Sequence, residues 1–138
     1  MGMKPLFRQR TSKTPQQFIE DVRKKAPQFG FMVHEVVDMR KLYEGYGIEV
    51  ADNFEVYTIT LCNPQKSYKS ITKNPERNAA IIGQKHIVVY KGDKGVTTIN
   101  YLSLPREFGK EVFPEDEEFP ESLYQSCQKR IEIIEASL

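Results

Sequence analysis

At 138 residues, 39% hydrophobic and 28% charged, the chain has the balance of a single globular domain, long enough to bury about two-thirds of the surface its unfolded form exposes. A formal net charge of +1 argues against a dedicated nucleic-acid binder, and no apolar run approaches the length of a membrane span. Cys62 and Cys127 are the only cysteines, too few for a disulfide scaffold and in no metal-type spacing. The amino terminus lacks the apolar core of a secretory signal, and Leu6 stands where myristoylation needs Ser or Thr, so the expected location is cytoplasmic, with free thiols.

Lys4 to Arg10 alternates loosely and reads as a first strand. Thr14 caps a helix, with Pro15 first inside and Gln17 completing a capping box; Phe18, Ile19, Val22 and Ala26 form its apolar stripe, and Pro27 and Gly30 end it. Phe31 to Asp38 is a second strand, with Met32, His34 and Val36 expected on one face and Phe31, Val33, Glu35 and Val37 on the other. Leu42 and Tyr43 suggest a turn or two of helix before a loop at Gly45 and Gly47, where Tyr43 and Tyr46 fit a flap. Phe54 to Cys62 is a third strand with no uniformly polar face, and so belongs inside the sheet.

Asn63 follows as the N-cap of a helix that starts at Pro64, with Pro64, Tyr68 and Ile71 as its apolar stripe and Asn74-Pro75 as its end. Glu76 to Ile82 is a short helical or irregular link. His86–Lys91 and Val96–Leu102 form a hairpin around Gly92-Asp93-Lys94-Gly95. Pro105 ends the sheet region. Arg106 to Phe119 reads as a linker carrying Glu115-Asp116-Glu117-Glu118, and a last helix from Pro120 or Glu121 presents a seam of Leu123, Tyr124, Cys127, Ile131, Ile134 and Leu138. Residues 1–110 hold 18 Lys+Arg against 11 Asp+Glu, whereas residues 111–138 hold 2 against 8. An acidic tail lying on a basic body, its own or a neighbour's, is the expectation.

This order predicts an α+β fold: a single mixed or antiparallel sheet of about five strands with two core helices on one face, plus a C-terminal helix, nearest to a split βαβ template. Residues 1–105 make the α+β domain. Residues 106–138 make an acidic linker and an amphipathic helix packed on the domain or on a dimer partner.

Thr14-Pro15 opening a helix, Gly30-Phe31 opening a strand, Cys62-Asn63-Pro64 at a strand–helix junction, Asn74-Pro75, and Ile87-Val88-Val89-Tyr90 together resemble the DUF302 family, from about Lys4 to about Pro105. The resemblance implies a small α+β fold that forms homodimers, and it implies no reaction. Many members carry Asp-Pro where Asn74-Pro75 stands, and Pro-Cys where this chain has Gln84-Lys85; a family chemistry that used two cysteines would lack its second here. The segment after Pro105 falls outside the resemblance.

Cys62 is the sharpest chemical candidate, because a helix N-terminus beside it favours a thiolate; cysteine is also among the most buried residue types and packs as a small hydrophobe. His34 and His86, the only histidines, lie on strands beside apolar residues, and their convergence on Cys62 would make a Cys–His pair or a three-ligand metal site. Lys66, Lys69 and Lys73 line one face of the helix from Pro64, and Lys85 lies near its start; a basic face at a helix start suits a phosphate or carboxylate, and equally suits solvent. Three functions follow. The first is a small cytosolic, homodimeric ligand-binding domain whose pocket at Cys62-Asn63-Pro64, with Lys66 and Lys85, holds a small anionic or thiol-reactive ligand. The second is a thiol-dependent enzyme with Cys62 as nucleophile and His34 or His86 as base. The third is an interaction module acting through the C-terminal helix. No cofactor is named by any motif, no metal site is assigned, and neither nucleic acid nor membrane is expected as a partner.

Overall fold

The structure, a computed structural model, describes residues 5–138. Its elements run β1 (Leu6–Thr11), α1 (Pro15–Lys25), β2 (Met32–Asp38), α2 (Met39–Gly45), β3 (Val56–Cys62), α3 (Pro64–Lys73), α4 (Asn78–Gly83), β4 (His86–Lys91), β5 (Thr97–Leu102), α5 (Arg106–Val112) and α6 (Phe119–Ser137). The five strands form one sheet in the order β1-β5-β4-β3-β2, with every neighbouring pair antiparallel. β1 and β2 therefore run parallel at opposite edges, joined through α1, with three strands between them: a widely split βαβ unit. The expected first strand included Lys4, which lies outside the described residues.

Alternation along β3 sends Ile59 and Leu61 to the face covered by α1 and α6, where Phe18, Val22, Ile87, Val89, Ile99, Ile133 and Ile134 complete a dry core. The expected cap of α1 is present: Thr14 Oγ1 accepts from Gln17 N at 3.1 Å, and Thr14 N donates to Gln17 Oε1 at 2.9 Å. Gly30 closes the turn after α1 with φ 80°, a conformation that costs glycine nothing. The opposite face of the sheet carries no helix. There Thr58, Thr60, Val88, Thr98 and Asn100 share register, and Leu6, Met32 and Leu102 stand exposed.

Four expectations need correction. The two-face assignment of β2 fails because a bulge between Val33 and Glu35 inserts a residue, so Val33 and Val36 both face the core and Met32 and Glu35 both face away. The stripe on α3 is not a buried one: Tyr68 is 71% exposed and α3 holds no buried residue, because the helix sits at the end of the sheet rather than on it. The second core helix is α6. The linker after Pro105 contains α5, whose Gly109 lets the backbone of Pro120 approach closely; Phe108 and Val112 stay half-exposed, which is why its pattern does not read as a core helix. Finally, the seam of α6 is rotated to include Arg130 and Ile133, and it is taken up inside its own chain, which leaves an interaction module only the outer, polar face of that helix.

The acidic segment docks on the basic body in cis. Asp116 accepts from Arg77 Nε at 2.7 Å and Nη2 at 2.9 Å, from Asn74 Nδ2 at 3.1 Å, and from the backbone N–H of Phe119 at 2.9 Å at the start of α6. Both side chains of the Arg77–Asp116 pair are almost fully enclosed. Glu118 pairs with Lys73 at 2.7 Å on the surface. The far end of α6 is held as well: Lys13 Nζ donates to Ser137 O at 2.8 Å, placing a cation at a helix C-terminus, and Thr11 Oγ1 donates to Leu138 O at 2.8 Å.

The hydrogen bonds from Arg77, first among several, hold the Asp116 carboxyl well below the usual carboxylate range. A carboxyl whose pKa is lower folded than unfolded contributes stability that is complete above the unfolded value, near 3.9, and is lost as pH falls toward the folded one. Asp116→Asn is therefore expected to lower the unfolding free energy by about 3 kcal/mol at pH 7, since it strands a buried guanidinium, and to flatten the loss of stability below about pH 4. Urea denaturation of both proteins from pH 7 down to acid checks this.

Candidate functional site

β3 runs out at Cys62, and the chain turns into α3 through Asn63, whose extended backbone and Oδ1 cap the helix by accepting from Lys66 N at 3.2 Å. Pro64 takes the first helical position, as expected. Cys62 pairs in register with Met32 and alternates onto the helix-free side of the sheet with Thr58 and Thr60. Its thiol is half-buried. The neighbours of Sγ are Lys85 Nζ at 3.2 Å and Ser67 Oγ at 3.9 Å. Position 85, where many relatives by resemblance carry a second cysteine, thus holds an ammonium against the sulfur.

The histidines do not join it. His86 is exposed and its Nδ1 lies 3.3 Å from Thr60 Oγ1; His34 sits in the bulge of β2, exposed; neither hydrogen-bonds Cys62. Among the described residues no group of three or more His, Cys, Asp and Glu side chains is placed to hold a metal ion. The convergence expected of Cys62, His34 and His86 is absent from the hydrogen-bonding pattern.

Beside the same junction lies a half-open cavity of about 40 Å³, lined by α3, α4 and α6 and by Phe31, Asn63 and Lys85 from the turns between elements. Asn63, Lys66 and Lys85 line it, as the sequence suggested, whereas Cys62 does not. The third cation is Arg130, on α6 and 5% exposed. Its Nε and Nη2 donate to the carbonyl of Leu61 at 3.3 and 3.2 Å, and its guanidinium lies 5.2 Å from the centroid of the Phe31 ring. Among the described residues Arg130 has no carboxylate partner, its Nη1 has no hydrogen bond, and no carboxylate lines the cavity.

Hydroxyls complete the polar lining: Ser67 and Ser70 from α3, Ser122 and Ser126 from α6. Lys66 Nζ donates to Ser126 Oγ at 3.1 Å. Burial, then the charges of Arg130 and Lys129, push the Lys66 ammonium below the ordinary lysine range, the sign of cations crowded without a counterion. Ala80, Ile81 and Leu123 supply an apolar wall. The cavity continues into an open groove of about 340 Å³ along α3, where Lys69, Lys73 and Arg77 follow one another and Glu118 reaches in to Lys73.

Sequence reasoning missed Arg130 and the serines of α6. A signal for Arg130 does exist: it falls at helical spacing between Cys127 and Ile134, so a charge interrupts an otherwise apolar seam. Nothing in the sequence alone brings residue 130 to residue 61.

The family model of a domain of unknown function, DUF302, matches residues 7–134, so the match extends through α5 and most of α6 and past the boundary expected at Pro105. No curated protein matches the chain. Among solved structures, the crystal structure of an uncharacterized conserved DUF302 protein from Bacillus stearothermophilus is similar, with a TM-score of 0.80 at 16% identity over 99% of this chain and 100% of that one. That likeness shows a shared fold. The chain belongs to the DUF302 family.

Proposed function

We propose that the protein is a small cytoplasmic ligand-binding domain whose pocket at the Cys62-Asn63-Pro64 junction takes a small anionic ligand. One observation carries this reading: Lys66, Lys85 and Arg130 line a single cavity that no carboxylate shares. A desolvated cation without a counterion is costly, and an anion delivered from solution is the simplest relief. The free thiols suit a reducing compartment. Titration of the protein with small oxyanions at low ionic strength, followed by calorimetry and by thermal unfolding, is expected to give saturable binding and a concentration-dependent rise in Tm. Lys66→Ala and Lys85→Ala should each weaken binding about tenfold, and an absence of saturable binding to any anion removes the reading.

Thiol chemistry is a second reading, supported by the contact between Lys85 Nζ and Cys62 Sγ. On this reading Cys62 is expected to react with iodoacetamide at neutral pH faster than a free model thiol, and Lys85→Gln should slow it. Labelling of Cys62 no faster than the model thiol ends this reading and leaves the binding reading untouched.

As a homodimer, the protein would use the helix-free face of the sheet. Leu6, Met32 and Leu102 stand exposed there, with Arg8 and Arg10 outward on edge strand β1 and Glu35 outward on edge strand β2. A two-fold axis along the strands lays the basic edge of one copy over the acidic edge of the other. Light scattering should return the mass of a dimer for the wild type and of a monomer for Met32→Glu; a monomeric wild type rejects the assembly.

A further inference from the structure

We propose that the group bound in this pocket is a phosphoryl group, held by Arg130, Lys66 and Lys85. The proposal rests on the anion-binding reading and narrows it. The donor count argues for it. A carboxylate is planar and offers two oxygens, which one guanidinium edge satisfies. The lining here offers three cations and the hydroxyls of Ser70, Ser122 and Ser126, from two helices and the turn before β4, while the Ser67 hydroxyl already donates to the Pro64 carbonyl. A tetrahedral group with three free oxygens uses donors from that many directions.

Arg130 supplies the independent indication of a ligand. The residue is 5% exposed and lines the cavity, it is fixed in place by two hydrogen bonds to the Leu61 carbonyl, and among the described residues no carboxylate pairs with it. Guanidinium groups locked by a backbone carbonyl on one edge present the other edge without further loss of rotamer freedom. The cavity itself, about 40 Å³ and half open, has room for a group of phosphate size. Whatever the phosphoryl group is attached to must leave through the open side, along α3. There Lys69 and Lys73 line the groove, and the surface pair Lys73–Glu118 yields readily to a second negative charge. The ligand class is accordingly a phosphate monoester or diphosphate with a small body, rather than free acetate-type carboxylates.

The test is a calorimetric and amide-NMR titration of the full chain with inorganic phosphate, methyl phosphate and acetate in phosphate-free, low-salt buffer. Methyl phosphate is expected to bind about tenfold tighter than acetate and to shift the amides of Lys66 and Ser126. Because Arg130→Gln removes a contact that also holds Leu61, the paired variant is Ser122→Ala/Ser126→Ala, which keeps every charge. It should weaken methyl phosphate by about fivefold and leave acetate unchanged. Acetate binding as tightly as methyl phosphate, with the same response to the serine changes, overturns the phosphoryl assignment while the anion pocket stands. Failure of all three probes to bind overturns both.

Discussion

Arg130 bonded to the carbonyl of Leu61 is the contact around which this end of the molecule is arranged. It joins α6 to the end of β3, close to the point where that strand gives way to α3. A buried guanidinium with no carboxylate partner among the described residues retains most of its charge uncompensated. Replacing it with a hydrocarbon of similar length would cost the fold little and could even stabilise it, so stability alone does not account for an arginine at this position.

The distribution of charge around it follows a consistent logic. The carboxylates of the C-terminal segment go to the cations farther along α3: Asp116 to Arg77 and Glu118 to Lys73. Asp116 also receives the first backbone N–H groups of α6, so one side chain closes the linker, caps the helix and neutralises a buried arginine. These contacts stop short of the cavity. Lys66, Lys85 and Arg130 are left to line it, and the depressed pKa of Lys66 records burial first, then the charges of Arg130 and Lys129. A basic body with an acidic strap thus becomes a groove neutralised at one end and electropositive at the other.

Much of the architecture was legible because it is written locally. The capping box at Thr14, the Asn63-Pro64 helix start, the break at Asn74-Pro75 and the glycine-rich hairpin turn are each fixed by residues within a few positions of one another, and all stand where the pattern places them. The failures share a different cause. The bulge at His34 has no local mark, since Val-His-Glu-Val alternates acceptably in either register. Tyr68 has helical spacing but no partner, because where a helix lands is a tertiary matter. The site was half visible: Asn63, Lys66 and Lys85 could be assembled from one junction, while Arg130 and the two serines of α6 arrive from some sixty residues away. The emphasis on Cys62 had sound local chemistry behind it, yet strand alternation turns the sulfur away from the cavity that its neighbours enclose.

The pocket is built from both the Asn63 turn with α3 and the 19-residue helix α6. During synthesis, a chain that has folded through β5 would present the Asn63 turn, Lys66 and Lys85 to solvent as an ordinary basic surface. Only when α6 has emerged and seated does the receptor exist. A molecule captured there would selectively reward copies in which α6 is docked, acting as a late clasp on that helix.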